Sequence, residues 1–466
     1  MADIKKFNLK KIGKAEWIVD DKNLKRKIKI FATEELLREM DDEVFVQARN
    51  VATLPGLFGD VYVMPDAHSG YGAPIGTVFA MDEKEGFVSP GAVGYDINCG
   101  MRLITTNLTI KEILPFLEKL VNKLFETIPV GVGRKGFLKI NKSELAQLAE
   151  GGVPYLIEKF GLGWQEDLRH IEEEGKIKNA DFSKVSKAAI ERGIGQLSTL
   201  GSGNHYLEIQ KVEEIFDEKI AKFFGIFSKD QITIMIHCGS RGFGHQICSD
   251  YLHLFEKNLS HFKIEVADRQ LACAPIESFL GKDYLSAMVC AVNFAFVNRQ
   301  AITHQVRKVF EKVLGKTAKD LSMNLVYDVA HNVAKFETHH QKRVLVHRKG
   351  ATRSFPDQPV IIGGSMETGS FLLLGTKKAM EKSFGSTAHG SGRTMSRAKA
   401  KKMIRGEKLI DQLKEKGIYV KAASFSGLAE EAGFAYKNIN KVVKSIELAG
   451  LSKPVAYFKP IGNIKG

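Results

Sequence analysis

Apolar and polar residues alternate along the chain with two different periods, and segments of each kind follow one another several times. Short apolar runs between glycine loops predict strands over 51–107, and QITIMIH (231–237) is the clearest strand pattern. Apolar residues at helical spacing predict a helix near Glu34–Ala48 and two helical excursions near 109–195 and 245–315. Further strands are predicted for NLVYDV, RVLVH, PVIIGG, SFLLLG and the C-terminal PVAYFKP.

This interleaving of strands and helices, with several hairpin-length connections, predicts an α+β fold that has an antiparallel β-sheet core and peripheral helices. The candidate ligands described below run from Asp96 to His389, so we expect one large catalytic domain over 1–466. A Rossmann fold is not favoured, because GSRGFGH (239–245) lacks the following helix and the acidic ribose ligand. A P-loop is not favoured either, since Phe310 stands where the first glycine before GKT would be.

The longest apolar run, YLSAMVCAVNFAFV (284–297), predicts a buried helix. It is shorter than the roughly 18 residues that a membrane span needs, and it carries Asn293. The N-terminal MADIKKFNLKKIGKAEW lacks the apolar region of a signal peptide, and the five cysteines are an odd number at irregular spacing. We therefore expect free thiols in a reducing compartment, a cytoplasmic location and no membrane partner.

The chain is basic, with 68 Lys and Arg against 54 Asp and Glu and a formal net charge of +14. Such an excess favours polyanionic partners, of which nucleic acid is the commonest, although a solvated basic surface is the alternative. Lys and Arg are densest in KFETHHQKRVLVHRKGATR (335–353) and SRAKAKKMIRGEKLIDQLKEKG (396–417). We expect Arg241, Arg397 and the 335–353 segment to contact nucleic-acid phosphates.

Five short polar or glycine-rich segments near the ends of apolar runs carry side chains that bind metals. They are GAVGYDINCGMR (91–102), GSGNHYLE (201–208), IHCGSRGFGH (236–245), YDVAHNVAK (327–335) and FGSTAHGSGR (384–393). Their candidate functional residues are Asp96, Cys99, His205, His237, His331 and His389. Any one of these residues alone has an ordinary structural explanation, such as a buried thiol or a hydrogen-bonded imidazole. A packed core would not require all six together. Asp, Cys and His suit Mn²⁺, Zn²⁺ or Co²⁺, and a bridging thiolate lets such a mixed set hold two metals.

Two metals about 4 Å apart can hold the attacking and leaving oxygens of a phosphoryl displacement, so phosphoryl or nucleotidyl transfer on nucleic acid is the natural class. His389 differs from the other histidines, because glycines on its C-terminal side leave the backbone open to a ligand, and Arg393 and Arg397 add positive charge. A neutral imidazole there could attack an α-phosphate. Asp66, in MPDAHSGYG, could orient the ring as a carboxylate orients the histidine of a catalytic triad.

Seven motifs in one order resemble the RtcB family of RNA-splicing ligases: YDINCG, GSGNHYLE, HCGSRGFGH, YDVAHN, VHRKGATR, STAHGSGR and the terminal KPIGNIKG. The resemblance runs from about residue 50 to the C-terminus. It implies an enzyme of tRNA splicing and RNA repair that joins RNA ends bearing a 2′,3′-cyclic phosphate or 3′-phosphate to 5′-hydroxyl ends. It also implies GTP and two Mn²⁺ as cofactors, a histidine-guanylate intermediate, and archease as a frequent partner.

The resemblance further implies roles for individual residues. Asp96 and His205 would hold one metal, His237 and His331 would hold the other, and Cys99 would bridge them. His389 would carry the guanylate. The remaining implied contacts are Asn204 and Arg241 to phosphate, Arg393 to the nucleotide, and Glu208, Ser370, Tyr436 and Lys465 around the guanine.

Three positions depart from the family pattern. Ala388 precedes the histidine where Cys is usual, Ser391 stands for a small Ala, and Glu367 in GSMETGSF replaces a usual Gly. If position 367 needs a positive φ, Glu would be strained there and the guanine pocket would change shape.

Two other functions are compatible with the same residues. A dinuclear phosphoesterase would hydrolyse 2′,3′-cyclic phosphates with the metals alone, and a basic RNA-binding subunit would use its metal structurally. His389 discriminates among the three, because a ligase needs it as nucleophile, a hydrolase could lose it, and a binding subunit would not be labelled by GTP. A lysine-type nucleotidyl transferase is disfavoured, since KxDG is absent from the sequence.

Overall fold

Two large β-sheets form the centre of the fold, in a computed structural model that describes residues 4–22, 24 and 26–466. The strands within these residues are β1 (Leu9–Gly13), β2 (Glu16–Val19), β3 (Ile28–Phe31), β4 (Leu57–His68), β5 (Ile75–Asp82), β6 (Phe87–Val88), β7 (Gly100–Thr109), β8 (Tyr206–Ile215), β9 (Gln231–Cys238), β10 (Ala274–Pro275), β11 (Leu325–Ala330), β12 (Asn332–His339), β13 (Lys342–Lys349), β14 (Ala351–Arg353), β15 (Pro359–Gly363), β16 (Ser370–Gly375), β17 (Ser386–Ala388), β18 (Tyr419–Ala422) and β19 (Ser452–Lys465).

Helices cover the sheets and fill the long connections between strands. Those within the described residues are α1 (Glu34–Arg38), α2 (Asp42–Ala52), α3 (Pro90–Val93), α4 (Ile110–Ile113), α5 (Leu117–Thr127), α6 (Lys142–Phe160), α7 (Lys187–Gln196), α8 (Glu218–Phe223), α9 (Arg241–Asn258), α10 (Phe279–Leu314), α11 (Lys377–Ser383), α12 (Arg397–Met403), α13 (Gly406–Glu415), α14 (Phe425–Glu430) and α15 (Ile439–Ala449).

The two sheets are mainly antiparallel, which confirms the predicted α+β class. A seven-stranded sheet has the order β1-β2-β3-β4-β5-β13-β12, and an eight-stranded sheet has the order β11-β7-β9-β8-β19-β16-β15 with β18 paired to β19. The parallel pairs in these sheets are β3–β4 and β18–β19. The expectation that no helix follows GSRGFGH is wrong, because α9 begins at Arg241. The segment is still no Rossmann unit, since β9 runs antiparallel to both of its neighbours, β7 and β8.

The ends of four neighbouring strands of the eight-stranded sheet meet at one edge. Gly100, at the start of β7, pairs with Ala330 at the end of β11 and with Cys238 at the end of β9. Tyr206, at the start of β8, pairs with His237. Since antiparallel neighbours run in opposite directions, the start of one strand lies beside the end of the next. Segments far apart in sequence therefore lie side by side at this edge.

Two short strands outside the large sheets, β14 and β17, bring the loop of His389 to the same strand ends. Ala351 of β14 pairs with Ala388, the last residue of β17. Two residues later Gly390 forms a bridge with Gly363 at the end of β15, a strand of the eight-stranded sheet. The loop after β17 is thereby fixed at the junction of the two sheets.

The long helix α10 crosses the core, where it packs against α6, α9 and β9. Among the helices that the structure describes, it alone is long and apolar enough to cross a membrane by length and composition. However, 89% of its most apolar window is buried inside the fold. The prediction of a buried helix over 284–297 is confirmed.

Candidate metal centre and nucleophile

Five side chains with metal-binding atoms meet where the four strand ends lie. Asp96 and Cys99 precede β7, His205 precedes β8, His237 lies on β9, and His331 follows β11. They form two groups that share the cysteine: Asp96, Cys99 and His205 in one, and Cys99, His237 and His331 in the other. Within each group the candidate ligand atoms lie within 4.8 Å of one another.

Short distances join the two groups through the sulfur of Cys99. Its Sγ lies 3.3 Å from Nε2 of His205 and 3.2 Å from Nε2 of His237, which in turn lies 3.3 Å from Nε2 of His331. Nδ1 of His237 donates to the carbonyl of Asn204 at 3.1 Å, so its Nε2 carries a lone pair. Burial lowers the pKa of both His237 and His331, so the rings stay neutral. Two neutral rings and a thiol facing one another fit a shared cation.

The other group combines a carboxylate and an imidazole. Oδ2 of Asp96 lies 2.8 Å from Nε2 of His205. Burial would raise the pKa of Asp96, but the charges of His205 and Arg241 outweigh it and lower that pKa. Burial also raises the pKa of the Cys99 thiol to about 11, and a divalent cation would favour the thiolate. A Cβ on Gly239 would lie 2.3 Å from Oδ1 of Asp96, so a larger residue at this position would displace the carboxylate.

His389 lies beside these ligands, with its ring centroid 4.8 Å from that of His331. Its Nδ1 is 2.7 Å from Oδ2 of Asp66, which also accepts the backbone N–H groups of His389 and Gly390 at 3.1 Å each. Burial would raise the pKa of Asp66, but the charge of His389 and its hydrogen bond outweigh burial and lower it. The ionised carboxylate holds Nδ1, which leaves Nε2 of His389 for chemistry.

The loop that carries Asp66 is itself held by buried contacts. Nζ of Lys437 donates to the carbonyl oxygens of Pro65 at 3.2 Å and Ala67 at 2.6 Å. Gly392 has a φ of +73°, and a Cβ there would lie 1.9 Å from the carbonyl oxygen of Asp66. Both the backbone conformation and the close approach require glycine at this position. The spacing between Asp66 and His389 is therefore built into the fold.

A cavity of about 840 Å³ opens over the metal ligands and His389. Four residues with expected nucleotide contacts line it: Asn204, Arg393, Tyr436 and Lys465. The ammonium group of Lys465 lies 5.4 Å from the centre of the Tyr206 ring and is buried, although Lys465 is next to last in the chain. The cavity thus combines cations with aromatic rings, which suits a nucleotide.

Glu208 and Ser370 lie beneath the cavity, outside its lining. Both are buried, and Gln210 donates to Oε2 of Glu208 at 2.6 Å and to Oγ of Ser370 at 3.2 Å. Asn463 donates to the other carboxylate oxygen of Glu208 at 2.6 Å. Burial raises the pKa of Glu208 to about 7. Each oxygen of this carboxyl already accepts one hydrogen bond and keeps a lone pair for a further donor.

A buried carboxylate that sequence analysis missed, Glu431, organises the cations of the cavity. Its oxygens lie 3.3 Å from Nη1 of Arg393 and 2.9 Å from Nε of Arg397, and the hydroxyl of Tyr436 also donates to it. Burial would raise its pKa, but the charges of Lys465 and the two arginines outweigh burial and lower it to about 2. Nothing in AEEAGF distinguishes Glu431 from a solvated glutamate, so the sequence offered no signal for it.

Three further cavity residues also went unassigned: His68, Asn332 and Lys349. Nδ1 of His68 donates to the carbonyl of Asp66 at 3.0 Å, and Nδ2 of Asn332 donates to the carbonyl of Asp96 at 3.1 Å. Nζ of Lys349 donates to two backbone carbonyls, and burial lowers its pKa to about 7. Each of these residues lies within one of the motifs MPDAHSGYG, YDVAHN and VHRKGATR. Their place in these motifs could have identified them as residues of the site.

The structure leaves part of the 335–353 segment open to phosphates, because Lys342 and Arg343 are exposed and Lys349 lines the cavity. This segment forms β12, β13 and β14, and much of its charge is buried and already paired. Arg348 is fully buried and lies 2.6 Å from Glu337, and Lys335 pairs with the buried Glu172. These cations hold strands together and are not available to a nucleic acid.

The 396–417 segment, by contrast, lies on the surface as α12 and α13, and Arg397 and Lys399 line the cavity. Arg241 does not line the cavity. Its Nη1 lies 2.7 Å from Nδ1 of His205, behind the metal ligands. Of the two arginines expected at phosphate, only Arg397 faces the open space.

The departures from the family pattern cause no backbone strain. Glu367 has no positive φ, which falls instead on Gly369 at +77°. Oε1 of Glu367 accepts the backbone N–H of Gly433 at 3.1 Å, and Oε2 lies 2.6 Å from Lys416. Ala388 and Ser391 are small and buried at 0% and 3% exposure, so each fits the packed loop around His389.

The chain is similar to known proteins over most of its length. The family model described as tRNA-splicing ligase RtcB matches residues 47–466. The tRNA-splicing ligase RtcB of Archaeoglobus fulgidus is 47% identical over 479 residues, covering 98% of this chain and 99% of the relative. The proteins of the same name from Nanoarchaeum equitans and Methanococcus maripaludis are each 49% identical. They cover 99% and 94% of this chain, and the alignments span 100% and 94% of those relatives.

Proposed function

Since the chain belongs to the RtcB family of tRNA-splicing ligases, we propose that it is an RNA ligase that joins 2′,3′-cyclic phosphate or 3′-phosphate ends to 5′-hydroxyl ends. The position of His389 carries this proposal. The residue is outside both groups of metal-binding side chains, yet its ring lies beside His331 and is oriented by Asp66. Hydrolysis by two metals would not require such a nucleophile.

Two Mn²⁺ ions are the cations that we propose for the site. Asp96 and His205 would hold one, His237 and His331 would hold the other, and Cys99 would bridge them. The donor set fits, because it mixes oxygen, nitrogen and a soft sulfur, whereas Mg²⁺ prefers oxygen ligands in an octahedron. When bound, the two ions would supply positive charge for the phosphate oxygens of the substrates.

The first step that we propose is guanylylation of His389 by GTP. Nε2 of His389 would form a bond to the α-phosphorus as the bond to the bridging oxygen breaks, and pyrophosphate would leave. Asp66 would stabilise the positive charge that develops on the ring. Phosphate contacts would come from Asn204, Arg393 and the metals. The guanine would be framed by Glu208, Ser370, Tyr436 and Lys465.

The RNA would approach along α12 and α13. Arg397 and Lys399 line the cavity, and Lys402 and Arg405 are exposed farther along the same surface. Lys399, Lys402 and Arg405 form no ion pair with the part of the chain that the structure describes. Arg241 is partly exposed and contacts His205 through Nη1 alone, so its other donors are available to a phosphate. Loss of joining without loss of guanylylation in Arg241→Ala would assign this residue to RNA.

The test uses α-labelled GTP with Mn²⁺, followed by denaturing gel analysis and by sealing of RNA with 3′-phosphate and 5′-hydroxyl ends. Wild-type protein should acquire an acid-labile, alkali-stable label, as phosphoramidates do. His389→Ala should lose both labelling and sealing, whereas His253→Ala, on the exposed side of α9, should keep both. Retained hydrolysis of a cyclic phosphate without any label in the wild type would favour the phosphoesterase, and a label on lysine would refute the mechanism.

We also propose a cytoplasmic location, which the five free cysteines favour. On the family resemblance we propose assistance by archease. Co-purification with archease, and faster guanylylation when it is added, would support the partnership.

A further inference from the structure

The middle of α10 carries polar side chains that an apolar core helix does not need. Asn298 and Arg299 are fully buried at 0% exposure, between apolar turns of the helix. Burying an arginine or an amide is costly unless every donor finds an acceptor. The contacts of these two residues show where their donors go.

Arg299 joins three of the segments that carry metal-binding residues. Its Nη1 donates to the carbonyl oxygens of Asn98 at 2.9 Å and Cys238 at 2.7 Å, which are the neighbours of Cys99 and His237. Nη2 also donates to Oδ1 of Asn98 at 3.1 Å. Nε and Nη2 bind the two oxygens of Asp328 on β11 at 2.9 and 2.8 Å. Asp328 lies three residues before His331.

Asn298, one residue earlier, reaches the remaining segment. Its Nδ2 donates to the carbonyl of Thr199 at 3.0 Å, and its Oδ1 accepts the Thr199 backbone N–H at 3.1 Å. The next residue, Leu200, provides the carbonyl oxygen 3.1 Å from Nδ1 of His205. Nδ2 of Asn298 also lies 3.3 Å from the carbonyl of Gly239.

The arrangement around Arg299 leaves little freedom. Asn98 has a φ of +51°, and its Nδ2 donates to the carbonyl of Val292 on α10 at 2.7 Å. A Cβ on Gly100 would lie 3.0 Å from the guanidinium carbon of Arg299. Asp328 is shared with Arg102 of β7, whose Nε lies 2.7 Å from Oδ2. The strand ends are therefore tied to one turn of α10 and to one another.

We infer that Asn298 and Arg299 are positioning residues that set the spacing of all four ligand-bearing segments before any metal binds. This inference rests on the proposed metal centre. Four strand ends joined only by main-chain ladders could shift independently, and a shift of one would misplace its ligand. One turn of the buried helix α10 binds all four segments and so fixes their relative positions. Outer-shell partners orient metal ligands in the same way.

Co²⁺ binding to the full-length, metal-free protein tests the inference without any need for catalysis. The test variants are Asn298→Leu and Arg299→Lys. The matched controls are Asn293→Leu and Arg307→Lys, which alter other buried side chains of the same helix. Asn293 bonds the backbone of Ala149 and Ile177, and Arg307 pairs with Asp167. Circular dichroism and thermal unfolding of each metal-free variant measure stability separately.

We expect the test variants to bind Co²⁺ about 10- to 100-fold more weakly than wild type. The thiolate-to-cobalt absorption should also shift or lose intensity. The controls should lose stability but keep the affinity and the spectrum of wild type. Wild-type Co²⁺ affinity in a folded Asn298→Leu variant would refute the inference, as would equal losses in test and control variants. If Arg299→Lys does not fold, Asn298→Leu decides the matter. A wild-type protein that binds no Co²⁺ would instead refute the metal centre itself.

Discussion

Replacing Asp66 by Asn tests the orientation of His389 most directly. Oδ2 of Asp66 lies 2.7 Å from Nδ1 of His389 and accepts two backbone N–H groups at 3.1 Å. An asparagine oxygen can still accept the backbone N–H groups, but it carries no charge to oppose the positive charge that develops on the ring. A hydrogen bond to a charged group contributes about 1.5–3 kcal/mol. At about 1.4 kcal/mol per factor of ten, the loss predicts guanylylation about 10- to 150-fold slower.

Single-turnover labelling with α-labelled GTP and saturating Mn²⁺ measures that rate. The variant should also be less stable, because Oδ1 of Asp66 is buried and without a hydrogen-bond partner among the described residues, so an amide N–H₂ there would go unsatisfied. The assay temperature must therefore lie below the unfolding transition of the variant. Co²⁺ affinity should match wild type, since Asp66 belongs to neither ligand group. A wild-type labelling rate in a folded Asp66→Asn protein would show that the carboxylate does not assist His389.

Three other predictions concern the metals, the cavity wall and the RNA surface. Cys99→Ala should lose Co²⁺ binding, guanylylation and sealing while keeping its circular dichroism, because both ligand groups share this sulfur; full activity of this variant in Mg²⁺ would contradict the dinuclear centre. Glu431, with its pKa lowered to about 2, stabilises the fold above pH 4.5 and loses that contribution as the pH falls towards 2. Between pH 6 and 3 the free energy of unfolding of Glu431→Gln should therefore fall by about 2 kcal/mol less than that of wild type; an equal fall in both proteins would show that other groups cause the acid sensitivity. Lys402→Glu should weaken RNA binding and reduce its salt dependence, whereas Lys342→Glu, a change at an exposed residue of the 335–353 segment, should do neither. The reverse result would show that RNA binds the 335–353 segment.

The sequence alone was sufficient to predict the local features of this protein. Periodicity located the main strands and the buried helix 284–297, because a repeat of two or of 3.6 residues reflects which face of an element is covered. Side-chain chemistry singled out Asp96, Cys99 and the histidines, since a packed core would not require all of these residue types together at glycine-rich strand ends. Residue type was also enough to expect a carboxylate, Asp66, behind His389.

Tertiary structure alone decided which charges are free and which are paired. The 335–353 and 396–417 segments are equally basic in sequence, yet only the structure places Glu337 against Arg348 and Glu172 against Lys335. Glu431 and Arg299 carry no local signature either, because their partners come from segments far away along the chain. A side chain's charge is a property of its residue, but its desolvation and its partners depend on contacts that only the packed chain creates.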